Sequence, residues 1–134
     1  MAATFFSGFK DRQSALNFLL EKIYAGFQMQ SSICVVLKDE KHCADFKKSQ
    51  QRKYFENAKI EYLYDDNISF INEQPTGHFD EVHILSDKVL ELPLDVCENI
   101  FVYTTSADED INKASRELYA NLKKNNIELN HKAI

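Results

Sequence analysis

The feature that most constrains the fold is a short apolar run, Ile33 to Leu37, in which no polar residue interrupts five consecutive positions. The side chains of a strand alternate between the two faces of a sheet, so this run places apolar groups on both faces. Such a pattern is typical of a parallel sheet that is covered on both sides. The run therefore predicts a central, fully covered strand in an α/β fold.

The remaining segments alternate between strand-like and helix-like patterns, and no internal repeat or linker divides residues 1–134. Helical spacing and capping residues predict helices over residues 11–28, from Asp39 through Lys48, and from Ser106 onward. We therefore predict a single α/β domain whose mixed, mostly parallel sheet has about five or six strands, with helices on both faces. The predicted strands are Thr4 to Phe6, Ile33 to Leu37, Ile60 to Tyr64, Val82 to Leu85, Val89 to Leu92 and Ile100 to Tyr103, with a short apolar patch at Ser69 to Ile71.

The last predicted helix carries signals at both ends. Ser106 stands three residues before Glu109, which is the spacing of a capping box, so we expect the helix to begin at Ser106. Lys123 and Lys124 complement the negative end of the helix dipole, and Asn125 or Asn126 can supply a left-handed cap. Four apolar residues recur at helical spacing and predict the face that packs on the core: Ile111, Ala114, Leu118 and Leu122.

A second stripe with similar spacing runs beside that apolar face. It consists of Asn112, Arg116, Tyr119 and Lys123, with Lys113 next to its first member. A mixture of basic and aromatic side chains suits an acidic peptide. The alternative is that Arg116 and Lys123 are solvated on the outer face while the ring of Tyr119 packs on its edge.

Composition excludes several function classes. The net charge of −5 disfavours direct binding to nucleic acid phosphates. Cys34, Cys43 and Cys97 are widely spaced, and we interpret them as reduced and structural. No segment has the length of apolar sequence that a membrane helix needs, and the N-terminus does not resemble a signal peptide, so we expect a cytoplasmic protein without a membrane partner.

The sequence also offers no arrangement of catalytic residues. The chain has 3 glycines, too few and too dispersed for a phosphate-binding loop or a dinucleotide-binding fingerprint. We predict no cofactor and no metal site, and no catalytic triad or carboxylate pair is recognisable. A binding module is therefore the better class, with a small α/β enzyme or ligand-binding domain as the alternative.

The run from Ala114 to Tyr119, followed by Ile127 to Asn130, resembles the C-terminal signature of the chi subunit of bacterial DNA polymerase III holoenzyme. The likeness extends loosely to Ala3 to Phe6, to Val35 to Lys41 and to the patch at Ser69 to Ile71. It implies a noncatalytic clamp-loader accessory subunit that functions in DNA replication. Its partners would be the psi subunit and the acidic C-terminal tail of single-stranded DNA-binding protein.

The resemblance assigns two groups of site residues. Arg116 and Tyr119 match the tail-binding arginine and tyrosine of the family, while Asn112, with Lys113 beside it, replaces a basic residue one turn earlier, and Lys123 would add steering. Phe70, with Ile71, matches an aromatic residue that contacts psi, but the chain has no Trp to precede it. An adaptor for a different acidic partner is a further alternative.

Overall fold

The computed structural model describes residues 2–28, 31–41, 43–44, 68–92 and 97–134. The described residues form a six-stranded sheet with the order β3-β2-β4-β5-β1-β6. Every pairing between neighbouring strands is parallel, so the sheet is parallel throughout rather than mixed. The elements are β1 (Ala2–Phe9), α1 (Arg12–Gln28), β2 (Ile33–Leu37), β3 (Ile68–Ile71), β4 (Phe79–Leu85), β5 (Cys97–Thr105), α2 (Glu109–Lys124) and β6 (Glu128–Ala133).

Strand β2 is buried at all five of its positions, as its apolar run predicts. It lies inside the sheet, between the edge strand β3 and β4. Its alternate residues belong to two separate apolar clusters: Val35 packs in one with Leu19 of α1, and Val36 in the other with Leu118 of α2. The alternation of strand side chains therefore places Leu19 of α1 and Leu118 of α2 on opposite faces of the sheet, whereas Ile111, in the first turn of α2, packs in the cluster with Val35. This division is consistent with the prediction of helices on both faces.

Helix α1 begins after Asp11, whose carboxylate accepts a 2.8 Å hydrogen bond from the backbone N–H of Ser14. Hydrogen bonds from the backbone N–H and the hydroxyl of Ser14 hold the pKa of Asp11 below its usual value. No helix among the described residues is long and apolar enough to span a membrane. Among the residues of α1 whose burial is described, Ala15, Leu19, Leu20 and Ile23 are buried in the core.

The start of α2 differs from the capping box predicted at Ser106. The helix begins at Glu109, and Asp108 is its N-cap, with a carboxylate that accepts from the backbone N–H groups of Asp110 and Ile111. Ser106 is exposed in the turn that precedes the helix. The prediction was wrong because a tight turn follows β5, where the Asp108 N–H donates to the carbonyl of Thr105 at 3.3 Å.

Three other expectations differ from the structure or lie outside it. The strand predicted at Val89 to Leu92 is wrong: this segment is irregular, and the Glu91 backbone N–H donates to the Gln74 side chain at 2.9 Å. Both sides of β4 are already occupied by β2 and β5, so no sheet position remains there. The predicted strand at 60–64 and most of the predicted helix through Lys48 lie outside the described residues.

Strand β6 was not predicted from its sequence. Its six residues are mostly exposed, so they show neither an apolar run nor a clear alternation of buried positions. Asn126 supplies the left-handed residue between α2 and β6, with a φ of 58°. The chain then turns directly into the sheet edge beside β1.

Within the described residues, the core contains a polar network on the α1 side of the sheet. His83 is fully buried, with its Nδ1 2.7 Å from the Tyr103 hydroxyl and its Nε2 2.9 Å from the Glu81 carboxylate. Burial lowers the pKa of His83, and the Glu81 carboxylate opposes that change. A neutral histidine donates from one nitrogen only, so Nε2–H donates to Glu81 while Nδ1 accepts from Tyr103. The network satisfies every polar atom of the ring.

Asp108→Ala should lower the free energy of unfolding by about 1 to 2 kcal/mol, because it removes an N-cap from α2. It also removes a 3.2 Å ion pair with Lys38. Ser106→Ala should change the free energy of unfolding by less than about 0.5 kcal/mol. Urea denaturation of the two variants measures both values, and a larger loss in Ser106→Ala would favour the capping box instead.

Acidification should destabilise the fold through His83. Its pKa is lowered from 6.5 in the folded protein, so between the two values the unfolded chain binds a proton that the folded chain does not. The free energy of unfolding should therefore be highest above about pH 6.5 and should fall as the pH drops below that value. Denaturant titrations from about pH 8 to about pH 5 test this expectation.

The matched control is His83→Gln, which retains a donor and an acceptor but does not titrate. Its free energy of unfolding should depend less steeply on pH than that of the wild type over the same range. Equal slopes for the two proteins would show that His83 is not the group responsible.

Candidate functional site

Helix α2 presents two different surfaces. The predicted apolar face, Ile111, Ala114, Leu118 and Leu122, is buried. Tyr119 directly follows Leu118, and consecutive helical side chains point about 100° apart, so Tyr119 lies at the border of the buried face. This border faces the edge of the sheet formed by β1 and β6, because side chains from both strands line a cleft with it.

We call this concavity the α2–β6 cleft. Its volume is about 280 Å³, and it is open to solvent on one side. In this cleft, residues of β1 meet residues of β5, α2 and β6 that follow them in the sequence by about a hundred positions. The lining residues are Phe5, Ser7, Thr104, Asn112, Ser115, Arg116, Tyr119 and His131.

The apolar part of the cleft is formed by two aromatic rings. Phe5 is buried, and its ring meets that of Tyr119 edge to face, with 5.2 Å between the centroids and 74° between the planes. Tyr119 itself is 38% exposed, so one side of its ring faces solvent. An edge-to-face pair of this kind holds the exposed ring in a defined orientation. The cleft therefore offers a fixed apolar surface.

Asn112 forms part of the polar wall and is held in place by its neighbours. Its Oδ1 accepts a 3.2 Å hydrogen bond from the hydroxyl of Thr104, and the hydroxyl of Ser115 lies 2.9 Å from its backbone oxygen. The residue is half-buried. Asn112 therefore connects α2 to β5 through its Oδ1, an acceptor that a basic side chain at this position would not supply.

Arg116 supplies the positive charge of the cleft. It is exposed, and no hydrogen bond or ion pair to its guanidinium is found within the described ranges. At the opposite rim the Nε2 of His131 lies 3.0 Å from the hydroxyl of Ser7. A guanidinium binds a carboxylate through two parallel hydrogen bonds, so Arg116 is a suitable anion-binding group beside an apolar surface.

The structure does not bring all five predicted tail-binding residues together. Asn112, Arg116 and Tyr119 line the α2–β6 cleft. Lys113 lies on another flank of α2, in a groove of about 440 Å³ that also contains Asp110 and Glu117. Lys123 is exposed and is not among the residues that line the cleft. The basic character of the cleft therefore rests on Arg116, with His131 at its rim.

Sequence reasoning missed Phe5, Ser7, Thr104, Ser115 and His131 as cleft residues. The register between β1 and β6 explains how the first and last of these residues meet, since Phe5 lies opposite His131. No local pattern joins these positions, because their contact depends on where β6 returns to the sheet. The alternation of β1 alone predicts that Phe5 and Ser7 share a face.

Phe70 and Ile71, the residues assigned to the psi subunit, lie on the edge strand β3. Both are half-buried. Phe70 packs against the apolar cluster on the α1 side of the sheet, and Ile71 packs against the cluster on the α2 side. The two side chains therefore point to opposite faces of the sheet and do not form one continuous patch.

The thiols are enclosed. Cys34, Cys43 and Cys97 are buried and form no disulfide, and burial raises the pKa of Cys34 to about 12 and that of Cys97 to about 11. Thiols with such pKa values stay protonated and are poor nucleophiles. His83 and Tyr103 have no solvent exposure, so their hydrogen-bonded network is not positioned to act on a ligand.

Comparison with known proteins adds no family assignment. No protein-family model matches the chain, and no curated protein is significantly similar to it. The candidate site therefore rests on the geometry of the α2–β6 cleft and on the chemistry of Arg116 and Tyr119.

Phe70→Ala should lower the free energy of unfolding by about 2 kcal/mol, roughly half of the cost of truncating a fully buried phenylalanine, because the ring is half-buried. Urea denaturation measures this loss. A loss below about 0.5 kcal/mol would mean that the ring contributes little to the fold and is available for a partner.

Proposed function

We propose that this protein is a noncatalytic adaptor that binds the acidic C-terminal tail of single-stranded DNA-binding protein in the α2–β6 cleft. In this role it would be a chi-like accessory subunit of the replicative clamp loader. The observation that carries the proposal is the position of Arg116, an exposed guanidinium next to the fixed aromatic pair of Phe5 and Tyr119.

The chemistry of such a tail matches the two parts of the cleft. A carboxylate would form charge-assisted hydrogen bonds with Arg116. An apolar residue at the end of the tail would pack on the exposed side of the Tyr119 ring. The cleft volume of about 280 Å³ lies just below the range of about 300 to 1,000 Å³ typical of small-molecule pockets. The cleft therefore suits one or two side chains of a peptide.

The charge of the whole protein supports a protein ligand rather than nucleic acid. The net charge is −5, and a duplex or single strand would require several cationic contacts along its phosphates. Arg116 provides one strong contact, which is sufficient for a peptide carboxylate. The adaptor would thus reach coated DNA through its protein partner, without a direct nucleic acid contact.

The psi subunit is the second partner in this proposal. Phe70 and Ile71 lie on β3 at the sheet edge opposite β6. The order of the strands separates this edge from the α2–β6 cleft by the width of the sheet. Two partners bound at these places would therefore not compete for one surface.

Arg116→Ala should weaken binding of the tail at least about tenfold, because truncating an arginine bonded to a carboxylate in a partly desolvated contact costs about 2 to 5 kcal/mol. The ligand is a peptide of the last ten or so residues of the host's single-stranded DNA-binding protein. Lys123→Ala should weaken binding only a few-fold, since a lysine outside the cleft adds only steering, which mostly changes the association rate and the salt dependence. Isothermal calorimetry at low salt measures both affinities.

Lys113→Ala is the matched control, since it removes one positive charge from the same helix but on another flank. It should leave tail affinity nearly unchanged, and none of the three variants should shift the melting temperature by much. Equal affinities of wild type and Arg116→Ala, or no binding by either, would remove the cleft as the site. Binding of an unrelated acidic peptide with equal affinity would favour an adaptor for a different acidic partner.

A further inference from the structure

Strand β6 is an open edge of the sheet. It pairs in parallel with β1 along its whole length, from Glu128 opposite Ala2 to Ala133 opposite Ser7. No other strand in the described part of the chain pairs with its second side. Five of its six residues are exposed, and none is proline. An edge of this kind is a template for a further strand.

The direction of the free backbone groups follows from the pairing with β1. The N–H of Ile134 donates to the carbonyl of Ser7 at 2.8 Å, so Ile134 directs its backbone toward β1. Successive residues of a strand direct their N–H and C=O groups to alternate sides. Leu129, His131 and Ala133 therefore direct theirs outward, where an additional strand would bind them.

We propose that the β6 edge pairs with β6 of a second copy of the chain, antiparallel, about a two-fold axis at Asn130. In this register Leu129 of one copy lies opposite His131 of the other, and both carry outward-directed backbone groups. These residues would exchange N–H to carbonyl hydrogen bonds in two symmetry-related pairs. The two Asn130 residues would face each other across the axis.

Charge selects this register from the others that the backbone permits. With the axis at Asn130, Glu128 of each copy lies opposite Lys132 of the other, which makes two cross-strand ion pairs. An axis at Leu129 would place Glu128 opposite Asn130, and an axis at His131 would place Lys132 opposite Asn130. Only the axis at Asn130 pairs both charges with opposite charges.

The same pairing explains why Lys132 does not protect the edge. A lysine on an edge strand ordinarily prevents further pairing because its charge would lose solvent. Here Glu128 of the second copy supplies the opposite charge. Because strand side chains alternate, Glu128 and Lys132 point to one face of the sheet and Leu129 points to the other. Leu129 packs against the cluster on the α2 side, so both charged side chains lie on the face opposite α2. Helix α2 therefore does not obstruct the ion pairs, and α1, on their own face, packs mainly against β1, β2, β4 and β5 rather than β6.

The resulting assembly would have one continuous sheet. A two-fold axis perpendicular to the sheet keeps equivalent faces on the same side, so α2 and the α2–β6 cleft of both copies would lie on one face. A dimer would then present two clefts side by side. The proposal itself does not depend on which ligand the cleft binds.

Sedimentation equilibrium over a concentration series tests the pairing, with an expected dissociation constant on the order of 0.1 to 1 mM for a contact of this small size. Glu128→Lys and Lys132→Glu should each weaken dimerisation by about tenfold or more, because each places like charges opposite each other. The double variant that carries both changes should recover the wild-type constant. Lys113→Glu, a charge reversal on α2, should have no effect.

Cross-linking provides a second measurement. Residues opposite each other in a non-hydrogen-bonded antiparallel pair have Cα atoms about 4.5 Å apart, which is within the range that a disulfide spans. Asn130→Cys should therefore form a symmetric disulfide under mild oxidation. Ala133→Cys should not, because its two copies would lie about 20 Å apart in this register.

Three outcomes would overturn the proposal. One is a wild-type chain that stays monomeric up to about 1 mM. The second is a dimer that the single charge reversals leave unchanged, and the third is a dimer that Ala133→Cys captures as readily as Asn130→Cys. All the substituted side chains are exposed, so circular dichroism should show the same fold for each variant.

Discussion

The structure depends on covering both faces of a parallel sheet. The interior strands carry apolar side chains in both directions, and β2 is buried at all five positions. Neither face is stable in water alone, so α1 and α2 must lie on opposite sides. The two apolar clusters divide at the sheet, with Leu19 and Val35 in one and Val36 and Leu118 in the other. The position of α2 follows from this requirement.

The candidate site is a consequence of how α2 covers its face. The helix lies over the interior strands and leaves a cleft between its flank and the sheet edge, into which Phe5 and His131 project. Arg116 and Tyr119 line this cleft because they stand about 100° from the buried Ser115 and Leu118. The buried apolar face sets the orientation of α2, and that orientation sets the positions of Arg116 and Tyr119.

The polar network on the α1 side of the sheet shows how a buried histidine is accommodated. His83 is fully enclosed yet bonds both Glu81 and Tyr103, and its ring stacks on Phe101 with 4.8 Å between centroids. A buried ring with unpaired nitrogens would be costly, whereas this one is paired at both. Its contacts are all within the core, and its lowered pKa predicts a stability that depends on pH.

The sequence by itself determined the α/β class, the covered strand β2, the apolar face of α2 and the stripe that contains Arg116 and Tyr119. Each of these follows from local periodicity, which the chain expresses over a few neighbouring residues. The tertiary structure alone decided the cap at Asp108, the irregular course of Val89 to Leu92 and the strand β6. These features depend on groups distant in sequence: the turn after β5, the occupied sides of β4 and the free edge of β1.

The α2–β6 cleft combines both kinds of information. The guanidinium of Arg116 and the exposed ring of Tyr119 belong to a pattern within one helix, so both could be predicted from the sequence alone. Phe5, Ser7 and His131 join it only because β6 returns beside β1, where Phe5 lies opposite His131. The mostly polar, exposed sequence of β6 lacks the apolar periodicity that would indicate a strand. Its place was set instead by the backbone hydrogen bonds that the edge of β1 offered, and such bonds leave no signature in side-chain sequence.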